Sequence, residues 1–154
     1  MPCAIGTVSL HERNVMDKNR SLKGARIALI EDDRLLRSSL EIFLRVRGAF
    51  VEAFECAEDA IPAVSLGGFD AVISDFLLEG ENGLYILLRA RQASKTVGTI
   101  LITAYGISTI SEDARQAGVD ILIFKPFSTI DLENALHQAI GKGMTGSLSV
   151  PEAG

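Results

Sequence analysis

The 154-residue chain is long enough for one hydrophobic core and too short for two ordinary domains, and its 47% hydrophobic and 23% charged residues belong to a globular rather than a disordered protein. Its net charge of −5 argues against broad nucleic-acid binding. Cys3 and Cys56 make neither a C-x-x-C pair nor a disulfide framework, and no stretch reads as a secretion signal or a membrane span, so a reducing cytoplasm with no membrane partner is the expected setting.

Residues 1–24 mix polar, charged and apolar types without a sustained period and read as a loosely ordered arm. At Arg26 the pattern changes. The run Ile27-Ala28-Leu29-Ile30 stops at Glu31-Asp32-Asp33, as a buried strand does where its end emerges into solvent. Leu36, Leu40, Phe43 and Leu44 then repeat at helical spacing, with Arg37, Arg45 and Arg47 among them and Gly48 as the stop. Phe50 to Phe54 reads as a second strand and Ala57 to Leu66 as a second helix, in which Pro62 predicts a kink or a late start. Ala71 to Ser74 is a third strand ending at Asp75. After a loop holding Gly80 and Gly83, a helix is expected from about Leu84 to Ala93. Thr99 to Thr103 gives a fourth strand, Ile110 to Ala117 a weaker helix stopped by Gly118, and Ile121 to Phe124 a fifth strand before Lys125-Pro126. Ser128 and Asp131 form a capping pattern for a last helix whose stripe is Leu132, Leu136, Ala139 and Ile140. The core domain is thus placed at 25–141, and 142–154 reads as a disordered tail or the start of a linker. Five strands alternating with five helices predict an α/β fold, a doubly wound parallel sheet covered on both faces.

In such sheets ligand sites form beyond the carboxyl ends of the strands, and here those ends are polar: Glu31-Asp32-Asp33, Asp75, Thr103 and Lys125. Each has an ordinary explanation when taken alone. Asp75 could begin a turn, Asp33 could cap a helix, Thr103 could serve strand propensity, and Lys125 could be a solvated surface charge. Together, the segments IALIEDD, AVISDFLLEGENG, ILITA and FKPF, in this order between about Arg26 and Ile140, resemble the signatures of the receiver domain of bacterial two-component response regulators. The resemblance implies a flavodoxin-like sheet of order 2-1-3-4-5 and a signalling module, not a conventional enzyme, that assists its own phosphorylation and dephosphorylation. It implies that Asp75 accepts a phosphoryl group from a sensor histidine kinase or a histidine phosphotransfer protein. Glu31, Asp32, Asp75 and the backbone carbonyl of Leu77 would hold Mg²⁺, since carboxylates gathered at a phosphoryl site need a hard divalent cation to offset their repulsion. Asp33 is left as the helix cap. Thr103 would hydrogen-bond the phosphoryl group, Ala104 would leave it room, and Lys125 would pair with the acceptor and then with its phosphate, ahead of a cis bond to Pro126. The signal would leave through the face of the fourth helix, fifth strand and fifth helix, towards a partner or a second copy of the chain, with no direct nucleic-acid contact.

Two positions depart from the family pattern. Leu122 stands where an aromatic switch residue is usual, which puts the usual threonine-to-aromatic coupling in doubt. Glu79 replaces a proline and adds charge to the loop after the acceptor. The runner-up reading is therefore a phosphate-independent interaction module on the same fold. Nucleotide-binding alternatives are poor, because neither a glycine-rich turn after the first strand nor G-x-x-x-x-G-K-[ST] is present. A haloacid-dehalogenase-like phosphatase expects a second aspartate where Leu77 stands.

Overall fold

The computed structural model describes residues 22–104 and 107–141, with backbone only for 107–109. The expected arm up to residue 21 and the tail from 142 lie outside the described residues. Within them run β1 (Arg26–Ile30), α1 (Arg34–Val46), β2 (Phe50–Phe54), α2 (Ala57–Leu66), β3 (Ala71–Asp75), α3 (Gly83–Ala93), β4 (Gly98–Thr103), α4 (Ile107–Gln116), β5 (Ile121–Phe124) and α5 (Thr129–Gly141). The five strands are parallel in the order β2-β1-β3-β4-β5, the predicted doubly wound arrangement.

Period-two alternation sorts the strand side chains into two cores. Ile27, Leu29, Ile73, Ile100 and Ile102 pack with Leu40 and Leu44 of α1 and Leu132 and Leu136 of α5. Ala28, Ile30, Val72, Leu101 and Leu122 pack with Ala60 and Val64 of α2, Ile86 and Leu87 of α3, and Ile110 and Ala114 of α4. Because helices cover both faces, the strands read as continuous apolar runs. At the end of the sheet away from the acids, Arg91 of α3 donates to Asp120 Oδ2 at 2.7 Å, and the same oxygen accepts the Thr99 N–H at 2.9 Å, pinning α3 to the starts of β4 and β5.

Three local outcomes differ from the reading of the sequence. Leu22, placed in the arm, is fully buried in the first core, and Gly24 N–H donates to Gly48 O at 2.9 Å, so ordered packing already includes these residues. A single apolar side chain in a polar stretch carries no period by which to see this. In α2 there is no late start: the helix begins at Ala57 and runs through Pro62. The carbonyl that the missing Pro62 N–H would have met belongs to exposed Glu58, where water can serve it, while Ala57, Ala60 and Val64 still bury the inner face. The loop after β3 contains a short antiparallel hairpin, Leu77–Leu78 against Glu81–Asn82. Its two-residue turn uses Gly80 at φ +84°, a conformation that costs glycine little.

Candidate functional site

Parallel strands deliver their carboxyl ends to one rim, and the polar residues beyond each apolar run meet there. Glu31 and Asp32 follow β1, Asp75 ends β3, and each offers a carboxylate oxygen within 4.8 Å of the others. Lys125, just past β5, donates from Nζ to Asp75 Oδ2 at 3.1 Å and to Glu31 Oε2 at 3.3 Å. The other Glu31 oxygen, Oε1, accepts the Asp33 N–H at 3.1 Å. Asp33 itself caps α1, its Oδ1 accepting the Leu36 N–H at 3.1 Å, which leaves Glu31 and Asp32 for the rim. Glu31 is 1% and Asp75 7% exposed, whereas Asp32 is open to solvent.

Thr103 lies one residue beyond Ile102, the partner of Asp75 across β3 and β4. It is fully buried, and its carbonyl accepts the Lys125 N–H at 2.8 Å, tying the ends of β4 and β5 together. Ala104, next along, is exposed. The Lys125–Pro126 bond is cis. Leu77 faces Asn82 in the hairpin, one step from the Leu78–Glu81 pair that closes the two-residue turn, and Gly83 N–H donates to Phe76 O at 2.7 Å. Antiparallel pairs alternate, so Leu77 falls in the pair that exchanges no hydrogen bonds, and its carbonyl is not used by the hairpin.

Burial pushes the Glu31 carboxyl up to about 7 from an ordinary 4.5, and the Asp75 charge and the Asp32 hydrogen bond add to the shift against the opposing Asp33 N–H and Lys125. Burial also works against the Lys125 ammonium, but its hydrogen bond to Asp75 and the charges of both carboxylates prevail and hold it above its usual range. Among the described residues, Lys125 thus contacts the two buried carboxylates of a three-carboxylate cluster. That is an all-oxygen donor set short of positive charge, which suits a hard divalent cation.

The pH dependence follows from Glu31. Between its unfolded value of 4.5 and its folded value of about 7 the native state keeps a proton that the unfolded chain has released. Stability without divalent cation therefore falls as pH rises through that window. Glu31→Gln is expected to flatten the slope and, at the alkaline end in EDTA, to gain about 1–2 kcal/mol. Urea midpoints taken at both ends of the window check this, and parallel pH profiles for the two proteins would contradict it.

Residues 27–137 match the family model described as "Response regulator receiver domain". The chain belongs to this family. It is 34% identical over 135 residues to the response regulator FleR and 30% identical over 129 residues to the two-component response regulator PhoP, both of Pseudomonas aeruginosa. Each alignment covers 84% of the receiver chain but only 28% of FleR and 57% of PhoP, so the chain spans a part of these relatives. Among solved structures, a CheY-like receiver domain from Methanospirillum hungatei is 23% identical, with a TM-score of 0.73, 78% of this chain and 96% of that one being covered. The response regulator TrrA of Thermotoga maritima, solved with Mg²⁺-BeF, is 26% identical with a TM-score of 0.66, over 75% of this chain and 98% of that one.

Leu122 is fully buried in the second core opposite Leu101, an ordinary packing position. The aromatic residue on the same face of this receiver's β5 is Phe124, in register with Thr103 and partly buried. Sequence reasoning singled out Leu122 and passed over Phe124, although two-residue spacing on one strand was signal enough to consider it. It also passed over Arg37, whose Nη1 donates to the Glu31 carbonyl at 2.8 Å, and the packing of Gly83 against Asp75.

Proposed function

We propose that this receiver takes a phosphoryl group onto Asp75 from the phosphohistidine of a sensor histidine kinase or histidine phosphotransfer protein, and that the modification changes which partner it engages. The observation that carries the reading is Lys125 held between Asp75 and Glu31 at a rim with three clustered carboxylates. An Asp75 carboxylate oxygen attacks phosphorus, the P–O bond forms as the P–N bond to histidine breaks, and the electron pair leaves with the imidazole. Lys125 orients the acceptor beforehand, and its ammonium is placed to follow the charge onto the phosphate. The Thr103 hydroxyl is assigned to a phosphoryl oxygen, and the small side chain of exposed Ala104 leaves the approach open. Glu31, Asp32, Asp75 and the Leu77 carbonyl would hold Mg²⁺, which when bound supplies countercharge for the phosphoryl oxygens.

Beside Lys125, between α1 and the turn into α5, a cleft of about 520 Å³ is lined by Leu36, Leu40, Pro126 and Phe127. This apolar surface supports approach of a protein donor. The output is assigned to α4, β5 and α5, which carry Thr103's neighbour Phe124 and would contact a partner or a second copy. The expected setting is cytoplasmic; among the described residues no helix is long and apolar enough to cross a membrane. The burial of Leu122 favours a signalling route other than aromatic rotation at that position, and leaves the acceptor chemistry intact.

Incubation with acetyl phosphate and Mg²⁺ is expected to add one phosphoryl group by intact mass, and hydroxylamine, which cleaves acyl phosphates, is expected to remove it. An unchanged mass under conditions that label another receiver would favour the phosphate-independent module.

A further inference from the structure

The acid that the dipole and the unpaired N–H groups favour at the start of α1 is its cap, Asp33; the first turn after the cap holds no acid and opens on Arg34, with Arg37 three residues on. Arg37 N–H donates to the carbonyl of the cap Asp33 at 2.9 Å, and its side chain reaches back beyond the helix start. There Nη1 donates to the carbonyl oxygen of Glu31 at 2.8 Å and, more weakly, to that of Asp32 at 3.4 Å. One guanidinium therefore spans the two consecutive peptides from which the paired carboxylates hang. Asp33 braces the loop from its other side, its N–H donating to Glu31 Oε1 and its own carboxylate accepting the Leu36 N–H.

A carboxylate can be aimed only as well as the peptide that carries it, and the link between β1 and α1 is three residues of irregular backbone. We propose that Arg37 is a positioning residue for the cation site, holding the Glu31 and Asp32 carbonyls so that the carboxylates of both residues face Asp75. This rests on the reading of the rim as a divalent-cation site given above. The sign of the effect separates positioning from simple electrostatics. As a bare charge, Arg37 repels a cation, and its removal tightens binding. As a brace, it orders the loop in advance, and its removal weakens binding because the loop must be ordered when the cation arrives.

The test is calorimetric titration of the full chain with Mg²⁺ alone, comparing wild type, Arg37→Met, Arg37→Lys and Asp32→Asn, alongside urea denaturation without divalent cation. Arg37→Met is expected to weaken Mg²⁺ roughly tenfold, as loss of a supporting contact behind a metal ligand does. Arg37→Lys is expected to recover part of the loss, since an ammonium can serve one of the two carbonyls, and cation-free urea midpoints are expected to stay with the wild type. Unchanged or tighter binding in Arg37→Met, with Asp32→Asn still impaired, would overturn the positioning role and leave the cation site standing. Weak binding that tracks a loss of cation-free stability and is not recovered by lysine would also overturn it, making Arg37 a structural staple. Absence of Mg²⁺ binding by the wild type, or equal binding by wild type and Asp32→Asn, would overturn the cation site and the positioning role together.

Discussion

Asp75→Asn is expected to abolish phosphoryl labelling while leaving the chain folded and at least as stable as the wild type. Asparagine keeps the shape of the side chain, and its amide oxygen can still accept from Lys125, so the packing at the end of β3 has no reason to change. What disappears is the nucleophilic charge. Asp75 is 7% exposed and lies within 4.8 Å of the Glu31 and Asp32 carboxylate oxygens, with Lys125 as the cation in contact with it. Removing that charge relieves one cause of the raised Glu31 value and leaves Glu31 as the charged partner of Lys125, the asparagine oxygen keeping a neutral hydrogen bond. In EDTA near neutral pH the gain should be on the order of 1 kcal/mol. Intact mass after acetyl phosphate treatment and a urea midpoint measure both halves. An asparagine variant that still takes one hydroxylamine-sensitive phosphoryl group would move the acceptor elsewhere. One that loses label only because it unfolds would show that the buried carboxylate serves the fold.

The opposed signs of these effects explain why the candidate site is legible in the sequence. A strand buried on both faces is written in apolar residues until the chain leaves the sheet, so Glu31, Asp32, Asp75 and Lys125 stand out as interruptions of a simple grammar. A carboxylate buried at such a rim works against the fold, burial first and the Asp75 charge after it raising Glu31, and residues that violate local stability rules point to functional sites. The alternation of strands and helices was likewise legible, because each element is long enough to show its period.

The parts that escaped the sequence lack a period or depend on distance across the chain. The strands of the Leu77–Asn82 hairpin are two residues each, too short to alternate, so only the glycine of its turn gave a hint. Arg37 sits at a spacing that fits a solvated helix face, and nothing in the linear order shows that its guanidinium turns back to the Glu31 carbonyl. Leu122 illustrates a different limit. Its departure from the family pattern was visible, but that Phe124 on the same strand face stands in register with Thr103 required the β4–β5 pairing.

Among the described glycines, Gly83 is the one whose replacement should cost the fold most for the smallest chemical change. It opens α3 and lies directly against the last residue of β3: a Cβ built there would overlap the Asp75 carbonyl oxygen and come within 2.7 Å of Ser74 Oγ and 2.9 Å of the Asp75 carbonyl carbon. The obstacle is backbone, so no rotamer change can relieve it. The hydrogen bond from Gly83 N–H to Phe76 O, at 2.7 Å, holds the two segments at this separation. Gly83→Ala must either lift α3 from the sheet, opening the core around Ile86 and Leu87, or turn the Asp75 peptide and misdirect its carboxylate. The expected loss is about 3 kcal/mol, at the upper end for overpacking a core site, together with a slower phosphoryl uptake in the fraction that remains folded. Gly80→Ala is the control. It meets nothing within 4 Å, and its cost, about 1 kcal/mol, comes from forcing alanine to the positive φ of the hairpin turn. Urea denaturation and acetyl phosphate labelling of both variants separate the cases. Equal midpoints for Gly83→Ala and wild type, with normal labelling, would mean that α3 shifts freely against β3 and that close packing there does not aim the acceptor.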